Sequence, residues 1–425
     1  MMLSFILFGV FFLFLLIGTP IAVCLGTGSI AAMLYDAAGK PIEAIMTTLP
    51  RIVSSSTSKF VLMAIPFFIM SGTIMEKAGI STRLINFAQN FVGHLRGGLI
   101  VVCVGVAAFF AAISGSGPAT VAALGMILIP AMVNDGYSKT FSSALMTSAG
   151  ALGVIIPPSI TFVVYGSIAD TSIGDLFIAG VVPGLIIGVF LIITAFWISR
   201  NAEVEIFPKA TAKMRWDSFK DAFWGLLMPG IILGGIYGGV FTPTEAACVS
   251  VVYGLFVGFF IYRTLKFKDL YDIFVDSVSL TAVIMFITAG ASLFAYILTR
   301  SRLDLAISQG LIDISGGNYI IFLLIVNVIL LIAGCFLDST SALFIFTPLF
   351  VPVAVAMDIN LVHFGVVMIV NLAIGMITPP VGANLFVGCG VDLKSMSVAV
   401  VPFVLAAIVA LMILTYIPAI SLLFV

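Results

Sequence analysis

The sequence predicts an all-α polytopic membrane protein made of two inverted structural repeats, each carrying a re-entrant helical hairpin and a broken helix. Three observations lead there. The chain is 62% hydrophobic and 9% charged, whereas soluble domains carry about 25% charged residues. Apolar runs long enough to span about 30 Å of hydrocarbon recur along it. Two Pro-Pro pairs, Pro157-Pro158 and Pro379-Pro380, sit 222 positions apart (379 − 157) inside apolar segments. Around them the chain repeats at the same offset: Pro130 falls on Pro352, Met146 on Met368, Ala151 on Ala373, Gly153 on Gly375, Gly166 on Gly388, and Asp170 on Asp392. A helix broken in lipid leaves backbone groups without partners, which is tolerated only where protein or a water-filled cavity receives them. Matching breaks in two halves are therefore the best sequence pointer to a binding site.

The first repeat covers residues 1–199. Residues 3–34 are apolar and interrupted at Gly18-Thr19-Pro20, giving two short helices or one kinked helix. Residues 1–39 contain no Lys or Arg, so the basic region of a signal peptide is missing and the first apolar segment is expected to stay in the mature protein. A helix over about 59–76 is followed by a loop with Arg83, His94 and Arg96. The apolar stretch 98–133 is cut by Ser114-Gly115-Ser116-Gly117-Pro118, the pattern of a hairpin dipping part-way into the membrane. Residues 140–167 form a helix broken at Pro157-Pro158, and a last helix spans about 176–198.

Residues 200–224 are the one clearly polar stretch, with Arg200, Lys209, Lys213, Arg215 and Lys220 against Glu203, Glu205, Asp217 and Asp221. Trp216, Phe219 and Phe223 share one face of a helix lying at the membrane surface. Acidic residues weigh little in the positive-inside rule, so this linker is expected in the cytoplasm, as are Arg263, Lys266 and Lys268. The second repeat, 225–425, then opens with a helix pair over 225–262. It continues to a hairpin near 320–352, broken around Asp338-Ser339-Thr340-Ser341, and a broken helix near 362–388. Thr19-Pro20 matches Thr242-Pro243 at 223 (243 − 20), one residue of slippage. Each half has an odd number of crossings, which inverts one against the other and leaves both termini outside. No period of 20–50 residues suggests a solenoid.

The residues that could carry chemistry cluster at these breaks. At the first hairpin, glycine permits left-handed backbone and Pro118 suits the first turn of a new helix. Free N–H groups at that helix start attract anions, and unwound carbonyls can hold a sodium ion. A plain inter-helix turn fits the same residues. At offset 222, Ser116 falls on Asp338, the only acid between Asp313 and Asp358. An intramembrane acid is a functional candidate, and Asp is also a good cap for a helix beginning at Ser339. Two consecutive prolines remove two donors and free the carbonyls a turn earlier. Ser159, Thr161, Thr378 and Asn384 supply oxygen ligands nearby, the kind hard cations favour, with a simple kink as the bland alternative.

Glu245, after Phe241-Thr242-Pro243-Thr244, is expected to cap a helix or pair with a partner. Arg300 and Arg302 anchor a helix end or attract an anion. The cysteines, Cys24, Cys103, Cys248, Cys335 and Cys389, lie in apolar runs without CxxC spacing, as small buried hydrophobes do. His94 and His363 have no matching ligands, so no metal site is suggested. No GxxxxGK[ST] occurs, so ATP does not drive this chain directly.

Five motifs carry a family resemblance: Ala64-Ile65-Pro66-Phe67-Phe68, Ser114 to Ala123 (SGSGPATVAA), Gly153 to Ser159 (GVIIPPS), Val240 to Ala247 (VFTPTEAA) and Thr378 to Asn384 (TPPVGAN). In this order they resemble the large (DctM-like) membrane subunit of tripartite ATP-independent periplasmic (TRAP) transporters, over essentially the whole chain. The resemblance implies a bacterial inner-membrane secondary transporter that imports organic acids, such as sialic acid, C4-dicarboxylates or keto acids, with sodium as coupling ion and no cofactor. It implies an elevator mechanism, a separate small membrane subunit of about four helices and a periplasmic binding protein, in membrane lipid and with no nucleic acid. By that carry-over, Ser114, Gly115, Ser116 and the Gly153–Pro158 break, Pro157 included, form one sodium site. Asp338, Ser339, Thr340 and the Gly375–Pro380 break, with Thr378 and Pro379, form the other. The substrate sits between, against Ser114, Ser116, Pro158, Ser159, Thr161, Ser339, Thr340 and Asn384. The competing expectations are a carrier of similar fold that works without a binding protein, and a membrane-embedded enzyme. The latter needs a catalytic cluster that neither histidine nor any acid pair supplies.

Overall fold

A computed structural model describes residues 2–36, 43–202, 208–388 and 390–425, without the side chains of 43–46. Glu203, Glu205 and Cys389 lie outside the described residues. Everything regular in the described residues is helical. The first part holds α1 (Met2–Leu16), α2 (Ile21–Asp36), α3 (Glu43–Thr57), α4 (Ala64–Lys77, entered through a 3₁₀ turn Phe60–Met63) and α5 (Ile80–Val92). Then come α6 (Gly98–Ser114), α7 (Gly117–Asn134), α8 (Lys139–Gly150), α9 (Leu152–Ile155), α10 (Ile160–Ala169) and α11 (Ile173–Ser199). The rest comprises α12 (Ala212–Tyr237), α13 (Pro243–Phe256, running into a π-helical turn Val257–Ile261), α14 (Asp269–Arg300), α15 (Leu303–Ser315), α16 (Tyr319–Phe336), α17 (Ser339–Ala356), α18 (Leu361–Gly375), α19 (Ala383–Val387), α20 (Leu393–Tyr416) and α21 (Pro418–Ser421). Among the described residues, nine helices are long and apolar enough to cross a membrane, or up to ten if the bent α8–α10 segment is one span. Large side chains such as Phe5, Phe12, Phe260 and Phe286 are exposed, as lipid-facing residues are. Tyr165, Phe110, Phe162, Phe322 and Phe403 are fully buried between helices.

Two expectations are corrected and one helix is added. The segment after α4 is not a loop: Arg83 lies in α5, whose Ile80, Leu84 and Ile85 bury one face, and only His94 and Arg96 stay in the following turn. Gly79 (φ 74°) precedes α5 and Gly97 (φ 74°) precedes α6, where glycine takes left-handed backbone without steric penalty. The sequence reading passed over α3, disguised by Pro50 and its Ser/Thr run, although it packs on α14. The aromatic linker helix does not stop at residue 224. It continues to Tyr237 as α12, with Phe219 packed on Phe87 of α5 at 5.9 Å between ring centroids. The second hairpin breaks at Leu337-Asp338, and α17 begins at Ser339 with Asp338 as its cap, as the capping reading has it.

Other residues find definite places. Glu245 and Thr242 form a reciprocal capping box at the start of α13. Arg300 pairs with Asp36 at 2.7 Å. His363 is buried and bonded to the Ser421 hydroxyl and the Thr415 carbonyl. Cys24, Cys103 and Cys335 are buried thiols. No cluster of three His, Cys, Asp or Glu side chains occurs among the described residues.

Candidate functional site

The tip of the first hairpin is two residues of non-helical backbone, Gly115 and Ser116. Ser114 ends α6, Gly115 turns the chain at φ 60°, Ser116 is extended, and Gly117-Pro118 starts α7. Its hydroxyls hold the tip together. Thr120 Oγ1 donates to Ser116 O at 2.8 Å and lies 3.0 Å from Ser114 Oγ. This tip sits between the two arms of the broken helix. A Cβ on Gly153 would lie 2.5 Å from Ser116 O, and one on Gly115 would lie 3.1 Å from Pro158 O. Only glycine at these positions lets backbone meet backbone.

The break itself is stitched from within. Ser159 Oγ and Thr161 Oγ1 both donate to Val154 O, at 2.7 and 2.9 Å, and lie 2.7 Å from each other. They answer the carbonyl freed by the prolines, and both are buried. The structure thus brings Ser114, Gly115, Ser116, Gly153, Pro158, Ser159 and Thr161 together, with Pro157 joined to Pro158 by a cis bond. The hydroxyls of Ser159 and Thr161 are already engaged in holding the fold.

The second cluster is built differently. Asp338 caps α17, accepting from Ser341 N at 3.1 Å and from the Ser341 hydroxyl. Ser339 Oγ donates to Met376 Sδ at 2.9 Å. Thr340 lies in the same first turn, half-buried. Gly375 meets Gly334 of α16 so closely that a Cβ there would fall 2.5 Å from Gly334 Cα. Beyond Pro379-Pro380, also cis, Gly382 N donates to Cys335 O at 2.9 Å and Asn384 N to Met376 O at 3.0 Å. Thr378 Oγ1 donates to Ile374 O at 2.7 Å. Asp338, Ser339 and the Gly375–Thr378 backbone therefore share one place.

The side chain of Asn384 turns away from that cluster. It reaches the first one, where a Cβ on Gly117 would lie 3.0 Å from Asn384 Oδ1. Its Nδ2 donates to Thr147 O at 3.4 Å. The exchange is reciprocal: α19 packs on α7 and α8, while α10 packs on α17. Asn384 Oδ1 and Thr147 Oγ1 are buried and, among the described residues, have no hydrogen-bond partner. Sequence reasoning missed Gly334, and it gave no individual role to Thr120 and Gly382 within the motifs that contain them. A small residue four positions before Asp338 was the available signal for Gly334. It also missed the buried link from Asn371 Nδ2 to Asn327 Oδ1 (2.8 Å) and on from Asn327 Nδ2 to Thr415 Oγ1 (3.1 Å), announced by two amides in apolar helices.

A family model described as "Tripartite ATP-independent periplasmic transporter, DctM component" matches residues 8–420. The chain is 43% identical to the isethionate TRAP transporter permease protein DctMQ of Oleidesulfovibrio alaskensis, over 99% of this chain and 66%, just under two thirds, of that one. It is 39% identical to the C4-dicarboxylate TRAP transporter large permease protein DctM of Rhodobacter capsulatus, over 98% and 97% of the two chains. It is 40% identical to the sialic acid TRAP transporter large permease protein SiaM of Vibrio cholerae, over 77% of each. In fold it is similar to the YdaH transporter of Alcanivorax borkumensis, with a TM-score of 0.64, 14% identity and 88% of each chain covered. It is also similar to MtrF of Neisseria gonorrhoeae, at 0.60, 14%, and 90% and 85%. The chain belongs to the DctM component family of tripartite ATP-independent periplasmic transporters, and is a multi-pass inner-membrane permease rather than an enzyme.

Proposed function

We propose that this permease imports an organic acid with sodium, receiving it from a periplasmic binding protein and working with a small membrane subunit. The observation that carries this is the pair of hairpin tips pressed against broken helices, each lined with backbone oxygens and hydroxyls. Sodium occupies one site at Ser114–Ser116 and Gly153–Pro158, and another at Asp338–Thr340 and Gly375–Pro379. The acid lies between, near Ser116, Thr340 and Asn384. A bound cation offsets the acid's charge and steadies unwound backbone, so cargo and ion favour one another's binding. An empty site resists crossing, because its polar groups would pass through apolar surroundings unpaired. Relatives named for isethionate, C4-dicarboxylates and sialic acid support an organic acid, and the word "tripartite" in the family description supports two further components.

The moving body comprises the two hairpins and two broken helices, and the remaining helices form a scaffold in two inverted repeats. Supporting the repeat, Gly79 and Arg302 stand 223 apart (302 − 79), and each turns a helix corner at positive φ, 74° and 54°. The segments 78–97, 208–221 and 262–268 face the cytoplasm. In support, they share one end of the molecule and are rich in cations, with Arg83 paired to Asp221 at 3.1 Å, stacked over Tyr262, and Thr264 bonded to Ala78 O. Basic residues concentrate on that side. The test is uptake into proteoliposomes bearing all three components, with and without an inward sodium gradient. Uptake indifferent to sodium overturns the coupling. Full uptake without the binding protein favours a carrier that works by itself.

A further inference from the structure

The C-terminal end of α10 opens onto two neighbouring cavities that share one cation. The smaller, about 150 Å³, lies between α10, α14 and α17, with Ser56, Lys59, Ser167, Thr288 and Ser292 as its polar wall. The larger, about 800 Å³, runs from Lys59 past Ser167 to Thr242. Among the described residues, Lys59 is the only basic one lining either. Its Nζ donates to Ser167 O at 2.6 Å, and among the described residues it has no carboxylate partner. An ammonium has three donors, so two are spare. Ser167 O is one of the last carbonyls of α10, which lack partners within the helix and carry the negative end of its dipole.

The bland role of this bond is a cap on α10. Two features go further. Lys59 leads into the scaffold helix α4, whereas Ser167 lies in the last turn of the broken helix of the moving body. If the proposed transport cycle holds, on which this inference rests, any slide must break the bond. The surrounding hydroxyls and spare ammonium donors are also what an anionic head requires. The bond to Ser167 O is already charge-assisted on the donor side, but a carboxylate or sulfonate brings a full negative charge to the ammonium where the carbonyl brings a partial one, so the anion displaces the Ser167 carbonyl. Asp170 and Asp175 line the far part of the larger cavity and repel anions, which leaves the Lys59 end as the place to dwell. We infer that Lys59 is a substrate-entry residue. Empty, it latches the moving body to the scaffold; an arriving carboxylate or sulfonate takes the ammonium and frees the latch.

The probes are succinate and isethionate, with ethylene glycol as uncharged control. The full chain in liposomes, its native cysteines replaced, carries Ser56→Cys in the small cavity and is labelled with a neutral maleimide. Both anions slow labelling at least threefold, the control does not, and Lys59→Gln abolishes the protection while Lys59→Arg keeps it. Absence of protection by both anions, or equal protection in the Lys59→Gln chain, overturns the inference. The Lys59→Arg chain guards against misfolding as the cause. Labelling needs neither a sodium gradient nor the other components, so its failure is separable from a failure of sodium-driven uptake.

Discussion

Gly153→Ala tests whether the contact between hairpin tip and helix break is where the ion binds. The new methyl would lie 2.5 Å from Ser116 O, 2.7 Å from Ser116 C and 2.9 Å from Gly117 N. Real Cβ contacts essentially never fall below 3.0 Å, so the tip must retreat by at least 0.5 Å (3.0 − 2.5). The obstructing atoms are backbone, and no flexible side-chain end can give way instead. Overpacking of this kind costs about 1–3 kcal/mol. If the ion lies at that contact, the displacement falls on its ligands, and 1–3 kcal/mol of lost coupling is roughly a 5–150-fold change in affinity. The assay is a sodium series of uptake in proteoliposomes with all components, run beside thermal unfolding in detergent. The half-saturating sodium concentration is expected to rise by that factor. Gly105→Ala, on the same hairpin with nothing within 4 Å of its Cβ, should leave it unchanged. A folded Gly153→Ala permease with the wild-type sodium response would refute the assignment.

Three other outcomes are expected. Asp338→Asn keeps the cap on α17, since Asn caps as well as Asp, so it should fold normally yet show weakened sodium dependence; Asp338→Ala should in addition lose about 1 kcal/mol of stability. Equal sodium dependence in both variants and wild type, measured by the same uptake series, would remove Asp338 from the ion site. Lys213→Cys is expected to react with an impermeant thiol reagent only from the cytoplasmic side in oriented membranes, and labelling from outside would invert the orientation. Arg302→Gly should stabilise the chain by about 0.5–1 kcal/mol, because a non-glycine residue there holds left-handed backbone at φ 54°; a fall in unfolding temperature would mean that the arginine side chain holds that corner.

The breaks were legible because they are local. Ser114-Gly115-Ser116-Gly117-Pro118 and the two Pro-Pro pairs interrupt apolar runs by their own covalent and steric properties. The Asp338 cap and the Thr242–Glu245 capping box were legible for the same reason, since both partners lie within one helical turn. What escaped depends on distant partners. Helix α5 looks polar until α12 covers its Ile80 and Leu84 face. The meeting of Gly334 with Gly375 leaves no periodic trace in either helix. Asn384 reads naturally as a ligand of its own break, yet it crosses to Gly117 and Thr147. Lys59 looks like one more interfacial lysine until Ser167, 108 positions away, supplies its acceptor.

That crossing by Asn384 sets an order in time. Gly117 leaves the ribosome 267 residues (384 − 117) before the side chain that will rest on it. At about 5–20 residues per second, the delay is on the order of tens of seconds. Throughout it, the first hairpin stands in the membrane with one wall of its tip absent, and no amount of local folding can supply it. Completion of the first half therefore waits on translation of the second. Any insertion factor that shields unfinished helices has to hold this hairpin for that whole interval.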